Sequence, residues 1–320
     1  MITKLEIDKL AEKYETVDFI KDDPVRVPHR FTDKKDIEIA GFMASLVAYG
    51  RRDVFIKKLN QLFEIAENEP YNFIMNFEPE ILGDFNYRFG KPQDFAEIFG
   101  ILRNLYEKDG GLEELFKYGY ENPLKNNMFI PVTDYFYTRF TDIGAEGKSG
   151  SKRSVKEQGA DDGLISAATD QDLKNLTKVG AEGKKRERVS AEILRFAQND
   201  KENEVTDQNI KSPTRVGAEG KKFMLPDANK GSAMKRMCMF LRWMVRKGPV
   251  DFGIWDFMPT SDLFIPLDTH VARLSREMGL LTRKANDFKS VIEITENLKN
   301  FDPVDPIKYD FALFGYGVNN

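Results

Sequence analysis

DLFIPLDTHVARLSREMGL, residues 262–280, decides how this chain is read. Its apolar run stops at Pro266, and Asp268 stands just ahead of a stretch with helical spacing. Proline biases the residue before it away from the helical region, and an aspartate ahead of an amphipathic run is a favoured N-cap. The stretch therefore predicts a helix over THVARLSREMGL capped by Asp268. A cap needs only a hydrogen-bond acceptor, whereas a working carboxylate needs its charge. The local pattern leaves both roles open for Asp268.

Working outward, the flanking stretches are helical too. SAMKRMCMFLRWMVRK (232–247) places Met237, Phe240, Leu241, Met244 and Val245 on one stripe. Lys235, Arg242 and Arg246 fall on another face. The run from Lys230 to Lys247 holds six basic residues and no acid, which predicts a local basic patch. Further upstream, DIEIAGFMASLVAYG (36–50) is apolar nearly all round, as a buried helix is, and Gly50 suits its C-terminal end. DVFIKKLNQLFEIAE aligns Phe55, Leu59, Leu62, Phe63 and Ala66; QDFAEIFGILRNLYEKDG (93–110) aligns Phe95, Ile98, Phe99, Leu102 and Leu105. No segment alternates as a strand does. The expected fold class is all-α.

Residues 141–222 break this pattern. The segment has one aromatic residue, Phe196, and repeats GAEGK from Gly144, Gly180 and Gly217. Its 16 basic and 15 acidic residues nearly cancel, and the repeated unit has almost nothing apolar to stack, which excludes a solenoid. VSAEILRFAQND (189–200) alone is suited to a short helix. The expected organisation is an N-terminal helical part, 1–140, a disordered repeat-derived insertion, 141–222, and a C-terminal helical part, 223–320.

Composition narrows the chemistry. With 320 residues and 41% hydrophobic content the chain has material for a substantial core. It has one cysteine, Cys238, so an internal disulfide and a cysteine-ligated metal or cluster are excluded; two histidines, His29 and His270, leave few other metal ligands. No metal and no cofactor are expected. No apolar run reaches the ~18 residues of a membrane helix, and MITKLEIDKLAEKYE does not read as a signal peptide, so a cytoplasmic, membrane-free protein is expected. A net charge of −4 gives no global attraction to nucleic acid, so any such binding rests on the local patch.

GSAMK, Gly231–Lys235, pairs a flexible glycine with an immediate helix start. Backbone N–H groups there can hold a phosphate, or Ser232 can simply cap the helix. Together with IPLDTHVAR, this stretch resembles the helix–hairpin–helix DNA glycosylase superfamily, whose endonuclease III members carry a similar V-D-T-H-x-x-R run. The hairpin departs from the G-x-G-x-K pattern at Ala233. MASLVAYGRRDVFIKKLNQLF resembles the superfamily's early helix pair, with Arg51-Arg52 where that loop carries a glutamine. KGSAMKRMCMFLRWMVR, VDFGIW, LFIPLDTHVAR and DPIKYDFALFGYGV together resemble an uncharacterised bacterial family over about 35–140 and 223–318. That family is remotely similar to glycosylases, nearest to the archaeal 8-oxoguanine enzymes, which have a similar interval to the 33 residues between Lys235 and Asp268.

The resemblance implies a two-lobed helix–hairpin–helix glycosylase-like fold, its lobes interleaved around a cleft and the insertion looped out. It implies excision of a damaged purine from double-stranded DNA, with Lys235 as nucleophile through a Schiff base and Asp268 as supporting carboxylate. A lysine can attack the anomeric carbon when neutral, and a carboxylate stabilises positive charge building on the sugar. DNA contacts fall to Gly231, Ser232, Arg236, Arg242, Arg246, His270 and Arg273, with Arg51 or Arg52 as a wedge. The other readings are a non-catalytic DNA- or RNA-binding protein of the same fold and a different nucleobase-directed enzyme. Lys230 is the rival nucleophile; Lys235 is preferred because it lies inside the helix. Trp243, Trp255 and Cys238 read as core.

Overall fold

The computed structural model describes residues 2–146 and 224–319. Beyond Glu146 the expected insertion lies outside the described residues. Among those residues there is no strand, and backbone pairing is confined to isolated bridges such as Ser232 with Asp287 and Lys247 with Phe252. The chain divides into one unit formed by Met1–Phe136 with Asp207–Asn320 and another formed by Tyr137–Thr206. The first carries the cavity described below.

Its helices follow the sequence pattern. Helix α1 (Lys4–Tyr14) opens with a capping box between Thr3 and Glu6. Helices α2 (Lys34–Val47) and α3 (Arg52–Ile65) are joined by a short turn through Gly50, whose φ of +91° favours glycine. A short α4 (Pro70–Met75) leads to α5 (Pro92–Lys108), α6 (Leu112–Glu121) and α7 (Phe129–Glu146). After the segment outside the described residues come α8 (Lys235–Val245), α9 (Thr269–Glu277), α10 (Phe288–Lys299) and α11 (Asp310–Asn319). No helix among the described residues is long and apolar enough to cross a membrane.

Helix α2 is buried from Ile37 to Val47, as its all-round apolar sequence requires. The predicted stripes of α3 and α5 are buried in full. Helix α8 lies against α2, where a Cβ on Gly41 would come within 3.1 Å of Met244 Cε. Phe42, Phe116, Phe240 and Trp255 interlock there, with ring centroids 5.3–5.5 Å apart from Phe240 to Trp255, from Phe116 to Trp255 and from Phe42 to Phe240. The two edge-on pairs, Phe42–Phe240 and Phe240–Trp255, each add about 0.5–1.5 kcal/mol beyond area burial. Glu38 enters the same core as a carboxylate and accepts from Trp255 Nε1 and Tyr106 Oη, both at 2.8 Å. Helix α1 packs on α11, so the two ends of the unit meet.

One expectation fails on burial. Arg242 and Arg246 are only 1% and 5% exposed, so they form no surface patch. Arg242 pairs with Asp251 (3.1 Å) and Asp310, and stacks 4.1 Å from the centroid of Phe311. Arg246 pairs with Glu15, with Asp251 (2.9 Å) and with Asp305 (2.9 Å). Burial pulls both guanidinium pKa values down, but the carboxylates around them win and raise both above the ordinary value. The basic face of α8 meets acids supplied by α1, by the 251 loop and by the 305–310 region.

Candidate active site

The approach to α8 is built from two left-handed residues. Asp227 caps a 3-10 turn, Ala228–Lys230, by accepting from Asn229 N at 3.0 Å, and Gly231 follows at φ +70°. Gly231 O then accepts from Phe288 N at 3.1 Å, tying the turn to the start of α10. Met234 adopts φ +52°, which costs a non-glycine residue about 1–3 kcal/mol unless packing holds it. Its side chain is 1% exposed and supplies that packing. Helix α8 thus begins at Lys235, not at Ser232. No side chain caps it. Ser232 as N-cap is corrected: its backbone is committed to the bridge with Asp287.

Asp268 caps α9 as its sequence predicts, and does more. Its Oδ1 accepts from His270 N and Val271 N, both at 2.9 Å. Its Oδ2 lies 3.1 Å from Lys235 Nζ. One oxygen holds the helix start while the other faces the lysine. The pair is largely enclosed, the aspartate side chain 15% exposed and the lysine 33%.

Both residues line one cavity of about 530 Å³. Ligand cavities commonly hold roughly 300–1,000 Å³, so this one has room for a nucleobase. Arg52 covers one side, its guanidinium 5.1 Å from the ring centroid of Phe314. Arg236 donates to Leu46 O at 2.7 Å and lies 5.2 Å from the ring centroid of Tyr49. Among the described residues the buried Tyr49 hydroxyl has no hydrogen-bond partner, and burial pushes its pKa up to about 12. Asp310 sits at the start of α11 beside Arg242; burial pushes its pKa up to about 6 against the pull of that arginine. Asp23 also lines the cavity. Its Oδ1 accepts from Val25 N at 3.0 Å, and burial raises its pKa against that bond and the positive charges of Arg242, Arg52 and Lys235.

Residues 23–160 and 164–319 match the family described as protein of unknown function (DUF2400). The chain belongs to this family. No curated protein and no solved structure matches it. The DUF2400 match runs from the first acid of the cavity, Asp23, past its last aromatic, Phe314. Lys235 and Asp268 are therefore part of the DUF2400 domain itself.

The cavity gathers some of the residues singled out in the sequence and leaves others outside. Lys235, Asp268, Ser232, Arg236, His270 and Arg52 line it, with buried Arg242 behind. Gly231 is at the surface nearby. Arg51 is exposed and engaged with Asp53 at 2.8 Å; Arg273 is exposed and engaged with Glu277 at 3.0 Å. The rival Lys230 is exposed, 3.5 Å from Asp227 and outside the cavity. Trp243, Trp255 and Cys238 are each 1% exposed, as a core reading expects, and Trp243 also lines the cavity. Sequence reasoning missed Asp23, Tyr49, Asp310 and Phe314. Asp310 had a signal: in DPIKYDFALFGYGV it is an acid set directly against an apolar helix, where an unpaired charge does not survive burial.

Proposed function

We propose that the protein excises a damaged purine from duplex DNA and cleaves the sugar left behind. Lys235 acts as nucleophile and Asp268 as the supporting carboxylate, on a two-lobed helix–hairpin–helix glycosylase-like fold. The observation that carries the reading is the enclosed contact, 3.1 Å, between Lys235 Nζ and Asp268 Oδ2 in a cavity of nucleobase size. A helix start that no side chain caps, behind left-handed Gly231, supports it, because a helix N-terminus suits a phosphate.

The chemistry follows from the pair. The target base leaves the stack, at a cost of a few kcal/mol, and enters the cavity. Lys235 passes a proton to Asp268 and its free electron pair attacks C1′ of the sugar. The N–C1′ bond forms as the glycosidic bond breaks, and that bond's electron pair departs with the base, which takes up a proton. While that proton is still in transfer, the negative charge of Asp268 offsets the oxocarbenium-like character building on the sugar, and by the time the transfer is complete the N–C1′ bond has removed that character. The amine adduct opens the ring to a Schiff base, and loss of a C2′ proton expels the 3′ phosphate by elimination. Asp268 is fixed for this work, since two backbone N–H groups hold its other oxygen. Contacts to the DNA backbone fall to Gly231, Ser232, Arg51, Arg52, His270 and Arg273.

Strand nicking is the test. The full chain is incubated with duplexes carrying single oxidised or alkylated purines, and the lesion strand is resolved by size. The reading expects nicking at one class of lesion and its loss in Lys235→Ala; a nick that Lys235→Ala still makes would move the chemistry elsewhere.

A further inference from the structure

Asp23 is the one carboxylate of the cavity that no cation holds at ion-pair distance among the described residues. Asp268 has Lys235 and Asp310 has Arg242. Asp23 instead has its own turn: it caps the 3-10 segment Pro24–Arg26, with Oδ1 on Val25 N at 3.0 Å. Among the described residues its second oxygen has no hydrogen-bond partner, and it is not sealed from solvent. Burial raises its pKa, and the Val25 N–H and the positive field of Arg242, Arg52 and Lys235 pull back toward the ionised form. A half-satisfied carboxylate on the wall of a cavity is costly when the cavity is filled by an apolar group, and is satisfied when an N–H donor arrives.

We propose that Asp23 is the specificity-determining residue of the cavity, accepting from the Watson–Crick edge of an extruded base and selecting guanine-type over adenine-type edges. Taking an extruded base as the occupant rests on the proposed function above. A carboxylate offers acceptors only. The guanine edge presents two adjacent donors, N1–H and N2–H, which a carboxylate takes together. The adenine edge presents one donor beside the N1 lone pair, which a carboxylate repels. Each two-point contact of this kind discriminates by about 1–3 kcal/mol, or roughly 5- to 150-fold. The anchor on Val25 N sharpens the test: in Asp23→Asn the amide oxygen keeps that bond, so the NH₂ group takes the place of the free oxygen. A donor then faces the guanine donors, and the adenine N1 gains a partner.

The experiment titrates the full chain with 2′-deoxyguanosine and 2′-deoxyadenosine, followed by calorimetry or saturation-transfer NMR. The parent is expected to bind deoxyguanosine about tenfold tighter or more. Asp23→Asn should abolish or invert that preference while melting like the parent, because the turn keeps its cap. Asp23→Ser, which also keeps a capping oxygen, should bring the ratio near one. Equal affinity or no binding of either nucleoside by the parent overturns the proposal, as does an undiminished preference in the folded variants. The two readings fail separately. DNA nicking by a parent whose base preference ignores Asp23 sinks the role of Asp23 alone. An Asp23-dependent preference with no nicking of any lesion sinks the excision chemistry alone.

Discussion

Replacing Asp268 with asparagine separates the two tasks its oxygens hold. The amide oxygen can still accept from His270 N and Val271 N, so Asp268→Asn is expected to change stability by well under the ~1 kcal/mol that loss of a cap to alanine costs. The charge facing Lys235 is lost, and with it a hundredfold or more of turnover, about 3 kcal/mol of barrier. Denaturant melts and single-turnover nicking on the same preparation read the two effects; equal turnover in variant and parent would reduce Asp268 to a cap. Asp310 has a pH signature. Its pKa stands at about 6 in the fold against an ordinary 3.8, so the folded state binds the extra proton. The stability tied to this group is therefore complete below pH ~4 and lost as pH rises through about 6, a change of ~3 kcal/mol at most. Asp310→Asn should flatten the melting profile between pH 4 and 6 relative to the parent, and an unchanged slope would show that Arg242 keeps Asp310 ionised. Asp268 was legible in the sequence because its cues are local: a proline, then an acid, then a helical stripe. The partner was only suggested, since Lys235 lies 33 residues upstream and nothing in the intervening chain encodes their approach. Asp23 carries no local mark at all; it is a turn cap like many others until the fold brings it to the cavity wall.

At the scale of elements, α8 shows what hydrophobic periodicity reports and what it omits. The spacing of Lys235, Arg242 and Arg246 correctly places them off the apolar stripe. It says nothing of what covers that face, and here Glu15, Asp251, Asp305 and Asp310 arrive from distant parts of the chain to cover it. Removing one member of such a buried set strands the others. Arg242→Met is expected to cost about 3–5 kcal/mol in denaturant unfolding, because Asp251 and Asp310 lose their counter-charge, whereas Lys247→Met at the exposed end should stay within ~0.5 kcal/mol. A neutral Arg242→Met would mean that the two acids are protonated in the fold. The stripes of α3 and α5 were legible outright, since each buries the residues its spacing aligns. The start of α8 was not. Met234 in a left-handed conformation is held there by tertiary packing, and Ser232, the better capping residue by type, is spent on a bridge to Asp287.

At the scale of the molecule, the helical fold of the described residues followed from patterning, but the meeting of its two ends did not. Helix α1 closes on α11 and α2 on α8, so residues far apart in sequence share one core, and Arg246 reaches back to Glu15. Fragments 1–140 and 224–320 are accordingly expected to show no cooperative melt when expressed separately, as followed by circular dichroism; a sharp transition in either alone would mean that the parts are independent domains. Lys235 and Asp268 both lie in the C-terminal part, while Asp23, Tyr49 and Arg52 come from the N-terminal part, so the cavity needs both. Its proposed chemistry stands on one covalent intermediate. Borohydride reduction of the full chain mixed with duplexes bearing a panel of damaged purines tests it most directly: the parent is expected to yield a stable protein–DNA adduct attached through Lys235, absent in Lys235→Ala. No adduct with any duplex, or an adduct that forms equally in Lys235→Ala, would contradict it.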